Sequence, residues 1–257
     1  MRRFLIATFL AIAAIEQPLL IGRGFNITSS AEILPTPEIA QAKTAEFYYE
    51  QGFEKYKSGD YQGAITDFNK SIELNPKLFL AYFNRGNAEY RLKNYLGAIE
   101  DYNKAIELNP KFVGAYISQG VAKYNLGNHR GAIADYTMAI ELYPKYADAY
   151  NNRGISNFLL ENYHEAIADY NKAIELNPKF ANAYYNRGVA KVDLRDFEGG
   201  ITDFSKSIEL NPKFADAYYN RGATKDNLGN MKGACADWRK ASSLGDKEAA
   251  GLVENQC

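Results

Sequence analysis

The chain of 257 residues carries 30 basic and 31 acidic side chains, a formal charge of −1. With no basic excess or basic cluster it lacks the electrostatic footprint of a general nucleic-acid binder. Two histidines and two cysteines fall short of a metal site of the usual ligand spacings.

At the N-terminus, Arg2 and Arg3 precede the apolar run Phe4–Ile15. A basic start before a run of this length has the form of a secretory signal and is too short to span a bilayer. Extending the run to Gly22 takes in Glu16, Gln17 and Pro18. Residues 1–22 are read as a signal-like segment; the alternative is a leader that stays attached, through which alone the protein would touch a membrane. Ser29-Ser30-Ala31 and Ala40-Gln41-Ala42 are the candidate cleavage stretches, and residues 23–44, with Pro35 and Pro37, read as a linker. The expected location is the periplasm or another extracytoplasmic compartment, against a cytoplasmic or membrane-associated protein. Asn26-Ile27-Thr28 fits the glycosylation sequon, a match short enough to arise by chance.

From residue 45 the chain repeats itself. Pro76, Pro110, Pro144, Pro178 and Pro212 stand 34 apart, and Gly52, Gly86, Gly120, Gly154, Gly188 and Gly222 keep the same step. Such a period marks a stack of identical supersecondary units. Six copies fit, over residues 45–78, 79–112, 113–146, 147–180, 181–214 and 215–248. In every copy the fourth place is tyrosine, the eighth glycine, the twenty-third aspartate and the twenty-fourth aromatic. Places 4, 8 and 12, and places 20, 24 and 27, recur at helical spacing, so each copy predicts two helices with small groups where they approach. Asp60, Asn94, Asn128, Asn162, Asp196 and Asn230 fall between the two, where a side chain caps the second helix. Gly59, Gly127 and Gly229 precede three of these caps, fitting a left-handed helix end. The proline ends the second helix. After the sixth copy, residues 246–257 predict an extra helix that covers the last exposed face. Cys235 replaces the isoleucine of the other copies at a place facing this helix, which ends at Cys257, so the two are a candidate disulfide; the alternative is two free thiols.

This pattern resembles the tetratricopeptide repeat, W-x2-L-G-x2-Y…A-x3-F…P, in its arginine-rich NRG…ADY form common in bacterial proteins, over about four-fifths of the chain. The resemblance implies an all-α fold, a right-handed solenoid of antiparallel helix pairs with a groove lined by the first helices. Two departures stand out. The family leucine at place 7 is Arg85, Arg153, Arg187 or Arg221, or else Gln51 or Gln119. The tyrosine at place 11 becomes mostly lysine. In a hairpin, place 7 lies opposite places 23 and 24, so these arginines are expected to form structural ion pairs with Asp101, Asp169, Asp203 and Asp237.

The groove stripe offers Phe83, Asn84, Asn87, Asn151, Asn152, Tyr185, Asn186, Tyr219 and Asn220 as candidate protein-binding residues. Amides both donate and accept, so this ladder suits an extended chain. Family members that grip a C-terminal carboxylate use a lysine where Phe83 stands, an asparagine where Ser118 stands and basic residues where Asp148 and Asn152 stand. Only Asn87 matches, and no such clamp is expected. The sequence has no phosphate-binding glycine motif, nucleophile elbow or HExxH. The reading is therefore a non-enzymatic interaction module or scaffold that binds a protein or extended peptide. It is expected to use no cofactor, metal, nucleic acid or small-molecule substrate. The alternative is a structural subunit or assembly factor of an envelope or membrane-associated complex.

Overall fold

A computed structural model describes residues 37–257, with side chains from Thr44 onward. The signal-like segment 1–22 and the sequon at Asn26 lie outside the described residues. Thirteen helices follow one another among the described residues: α1 Pro37–Ser58, α2 Tyr61–Leu74, α3 Phe79–Arg91, α4 Tyr95–Leu108, α5 Val113–Asn125, α6 His129–Leu142, α7 Ala147–Leu159, α8 Tyr163–Leu176, α9 Ala181–Asp193, α10 Phe197–Leu210, α11 Ala215–Asn227, α12 Met231–Ser243 and α13 Lys247–Gln256. No strand occurs among the described residues. They divide into two compact bodies, residues 37–142 and residues 143–257. In each, antiparallel helix hairpins stack in tandem, the arrangement of an all-α solenoid. Helix α1 starts at Pro37, ahead of the first repeat at Ala45. Proline suits a first helical position because its missing N–H has no intrahelical partner there.

The hairpins close on a glycine–aromatic contact. A Cβ on Gly188 would lie 2.8 Å from Phe204 Cε1, and one on Gly154 would lie 2.6 Å from Tyr170 Cε1. Both distances are shorter than packed side chains tolerate, so hydrogen is the only substituent that fits. The aromatic partners Phe68, Tyr102, Tyr136, Tyr170, Phe204 and Trp238 are fully buried. Within one hairpin, Tyr102 Oη donates to Asn87 Oδ1 at 2.9 Å. Trp238 Nε1 donates to the Tyr219 carbonyl at 3.3 Å. Tyr136 Oη, also buried, has no partner among the described residues.

The turns follow a shared chemistry with informative exceptions. Asp60, Asn94, Asn128, Asp196 and Asn230 accept from the amides of Gly63, Gly97, Gly131, Gly199 and Gly233. Asn162 corrects the expectation of six caps: its side chain makes no such bond. Glu165 stands where the other five copies have glycine, and a Cβ built there on Gly97 lies 2.5 Å from the capping Asn94 Nδ2. The side chain at Glu165 fills the space that the cap needs. The residue before the cap is left-handed in every hairpin, with Gly59, Gly127 and Gly229 at φ 88, 75 and 78° and Lys93, Glu161 and Arg195 at φ 63, 62 and 65°. Between hairpins, Asn75, Asn109, Asn177 and Asn211 accept from the amide two residues on, across the proline.

Candidate binding face

On each first helix, places 4, 8 and 12 turn toward its own hairpin, and places 2, 5, 6, 9 and 13 form the remaining stripe. In residues 37–142, Asn84 Nδ2 donates to Tyr49 Oη of the preceding hairpin at 2.9 Å. Asn87 Nδ2 donates to Asn84 Oδ1 at 3.3 Å. The Phe83 ring packs on Phe112 and Tyr102, with centroids 4.8 and 5.8 Å away. In residues 143–257, Asn186 Nδ2 donates to Asn151 Oδ1 at 3.1 Å, and Asn151 Nδ2 donates to Asn152 Oδ1 at 3.4 Å. Asn220 Nδ2 donates to Tyr185 Oη at 2.6 Å.

The arrangement differs from an open amide ladder. Phe83, Asn84, Asn87, Asn151, Asn152, Tyr185, Asn186 and Asn220 are buried, and Tyr219 is partly exposed. The reason is register: place 6 of one hairpin meets place 5 of the hairpin before, 35 residues back. The amides join neighbouring hairpins, and a buried polar group is stable only when so paired. Asn152 Nδ2 and Asn186 Oδ1 escape this pairing among the described residues. They end the Asn186–Asn151–Asn152 chain and are themselves buried.

The accessible members of the stripe in residues 143–257 are Asp148, Asn182, Asp216 and Tyr219, partly exposed, and Leu159, Asp193 and Asn227 at the helix ends. Burial pushes the Asp148 carboxyl above the ordinary carboxylate value, a bond within its own residue pulling it back. Burial also raises Asp216, with Asp246 adding to the rise. Neither carboxylate forms an ion pair among the described residues. Beside Asp216, a shallow surface depression, more open than enclosed, lies at the starts of α9 and α11, lined by Asn182, Asn211, Lys213, Phe214, Ala215 and Asp216.

The arginines lie away from this stripe. Arg85, Arg153, Arg187 and Arg221 reach Asp101, Asp169, Asp203 and Asp237 at 2.5, 2.7, 2.6 and 2.6 Å. Arg85 also reaches Asn69 of the preceding hairpin, Arg187 reaches Asn171 and Arg221 reaches Ser205. Each of the four also stands over a tyrosine at place 4, 5.5 to 5.7 Å from the ring centroid. The lysines at place 11 join the same carboxylates, as Lys191 does Asp203 at 2.8 Å and Lys225 does Asp237 at 2.7 Å. In the fourth repeat Asn157 stands in that place and donates to Asp169 at 3.1 Å. Burial pushes the Asp169 carboxyl up, while Arg153 and Asn157 pull it back. The third repeat has Gln119 in place of arginine, and Lys123 pairs with Asp135 at 2.8 Å, the one cation on that carboxylate among the described residues.

At the C-terminal end, Cys235 and Cys257 are joined by a disulfide. Asp246 accepts from the Ala249 amide at 2.8 Å and opens α13. Ala249 is buried against Trp238, with Leu252 and Val253 packed beside it. No group of histidine, cysteine, aspartate and glutamate placed to hold a metal ion occurs among the described residues. The His129 ring lies 5.3 Å from Tyr124 and burial lowers its basicity; His164 is exposed.

Models of the tetratricopeptide repeat match residues 52–93, 79–112, 115–146, 147–180, 169–200 and 204–236. No curated protein matches the chain. Among solved structures, MamA is 27% identical, with 64% of this chain and 96% of that chain covered and a TM-score of 0.59. YrrB, a repeat protein of this kind with an unusual peptide-binding site, is 24% identical over 73% of this chain and 97% of its own, with a TM-score of 0.60. PilW, a type IV pilus biogenesis factor, is 19% identical over 81% and 98%, with a TM-score of 0.71. The last two likenesses concern the fold alone.

Proposed function

The chain belongs to the tetratricopeptide-repeat family, and we propose that it is a non-enzymatic protein-interaction scaffold that holds an extended protein segment against the first-helix stripe. The observation that carries this reading is the set of partly exposed side chains that the first-helix stripe presents, Asp148, Asn182, Asp216 and Tyr219. The likeness in fold to YrrB, a repeat protein with a peptide-binding site, supports it. The fixed arginine–aspartate pairs support a structural role for the charged residues inside the hairpins, which leaves the stripe for recognition. We further place the protein outside the cytoplasm, on the signal-like Arg2–Ile15 segment and on the Cys235–Cys257 disulfide, a bond that persists in oxidising compartments.

The test is recovery of the partner with the mature protein, followed by the same capture with Asn182, Asp216 and Tyr219 changed to alanine. These side chains are partly exposed, so the variant is expected to keep its helicity and lose the partner. Undiminished capture by a fully helical variant places the binding surface elsewhere. Fractionation and the N-terminal sequence test the location, and a cytoplasmic protein that begins at Met1 refutes it.

A further inference from the structure

The last helix is fastened differently from the first helices before it. Just ahead of α3, α5, α7, α9 and α11 stands an apolar residue: Leu78, Phe112, Tyr146, Phe180 or Phe214. Phe214 shows its use. It is buried, with its ring 4.8 Å from that of Tyr185 in the preceding hairpin. One period later the same place is Glu248, which is exposed. Helix α13 has ten residues and buries one of them, Ala249, with Leu252 and Val253 partly buried beside it. A helix of this length is marginal by itself, and no ion pair joins it to α12 among the described residues.

Two ends hold α13. At one stands the turn at Gly245, φ 99°, where an added Cβ would meet nothing within 4 Å. At the other, Cys257 is bonded to Cys235 of α12, and Arg239 Nη2 donates to the main-chain oxygen of Cys257 at 3.0 Å. The two cysteines are unequal: Cys235 is 6% exposed, and Cys257 lies in the exposed class. An incoming thiolate meets Cys257 first, and Cys235 is the sulfur that leaves. Arg239 lies one turn after Cys235 on α12, and a cation there favours the departing thiolate. Beneath α13 lies Trp238, fully buried and packed with Ala249. It is the one tryptophan of the chain.

We propose that the Cys235–Cys257 bond is a redox latch: a dithiol opens it by attack on Cys257 Sγ, and α13 then swings out on the Gly245 turn and uncovers the Trp238 face of α12. In the first step the dithiol's thiolate forms a mixed disulfide with Cys257. The electron pair of the broken bond stays on Cys235, whose thiolate takes a proton from water. The second thiol of the reagent, deprotonated, then displaces Cys257. The reagent ends as a disulfide and the two cysteines as thiols. No other helix depends on sulfur, since the chain has two cysteines. The covering of the last face of the array thus follows the redox state around it, independently of what the first-helix stripe binds.

The experiment follows the whole chain under native conditions with and without dithiothreitol. The bond is expected to open without denaturant. Amide exchange in α13 then quickens about a hundredfold, the effect of releasing a loop of this size, while α9 and α10 keep their protection. Trp238 emission moves to longer wavelength and returns when the reductant is removed and the bond re-forms in air. Glutathione followed by alkylation is expected to leave glutathione on Cys257 and the alkyl group on Cys235. The Cys257→Ser variant behaves as the reduced chain with or without reductant. A bond that yields only in denaturant overturns the inference, as does glutathione on Cys235. So does a reduced chain in which α13 stays as protected, and Trp238 as buried, as in the oxidised one.

Discussion

Changing Asp203 to alanine removes the carboxylate that the fifth repeat holds most completely. Asp203 accepts from Arg187 Nε at 2.8 Å and Nη2 at 2.6 Å, and from Lys191 Nζ at 2.8 Å. Its side chain is 3% exposed, those of Arg187 and Lys191 18% and 24%. The change therefore leaves two cations without their counter-charge in a region of little water. Removing one partner of a buried pair costs about 3–5 kcal/mol. Arg187 keeps its bond to Asn171 and its place over Tyr184, and Lys191 can turn its ammonium toward solvent. These reliefs put the expected loss near the lower end, about 3 kcal/mol. Asp135→Ala, where only Lys123 is stranded, is expected to cost about 2 kcal/mol. Asp67→Ala should cost least, because its partner Lys55 is 41% exposed. Urea denaturation of the three variants gives the order. Tandem repeats do not unfold as one cooperative block, so amide exchange in α9 and α10 locates the loss for Asp203→Ala. Making both Asp203 and Arg187 apolar should recover part of it. Equal losses for Asp67→Ala and Asp203→Ala, or no loss for Asp203→Ala, would refute the argument from burial.

Glu161→Gly should stabilise by about 0.5–1 kcal/mol, since Glu161 is left-handed at φ 62° where glycine avoids the Cβ penalty; a lower urea midpoint would contradict this. Tyr136→Phe should be neutral or stabilising because the hydroxyl is buried without a partner, while Tyr102→Phe should cost about 1 kcal/mol through its lost bond to Asn87; equal urea midpoints for the two would count against the assignment. Reduction, or Cys257→Ser, should weaken the docking of α13 by up to about 3 kcal/mol, given the sequence separation of 22, read as faster amide exchange in that helix alone. Asp148 and Asp216 have folded-state values raised above the unfolded one, so their stabilising contribution is fully present below about pH 4 and is lost as pH rises through the folded values. The variant with both changed to asparagine should gain on the native protein at neutral pH and lose that gain on acidification, and a constant difference across pH would refute the linkage.

Much of the fold was legible in the sequence because a fixed period leaves little choice. Glycine at place 8 with an aromatic at place 24 predicts a close hairpin contact, since only hydrogen fits between the Gly188 backbone and the Phe204 ring. The spacing of sixteen between Arg187 and Asp203 likewise follows from a hairpin turning midway. The candidate site was less legible. Helical spacing puts Asn84, Asn152, Asn186 and Asn220 at the same place of their first helices, but it cannot say how closely the next hairpin approaches. That distance turns the amides into joints between hairpins and leaves Asp148, Asn182 and Asp216 as the open positions.

Local sequence alone settled the helix ends wherever the local chemistry was sufficient. Glycine announced the left-handed turns at Gly59, Gly127 and Gly229, and proline stopped the second helix of the first five repeats. The same turn at Lys93, Glu161 and Arg195 was decided by the tertiary structure, because packing of the two helices imposes the geometry even on residues that disfavour it. Asn162 lost its cap to a side chain three residues away, a steric matter invisible to a pattern of capping residues. The repeat pattern already pairs Asp203 with Arg187, but only the packing of helices brings Lys191 to the same carboxylate and leaves Asp148 without a cation among the described residues.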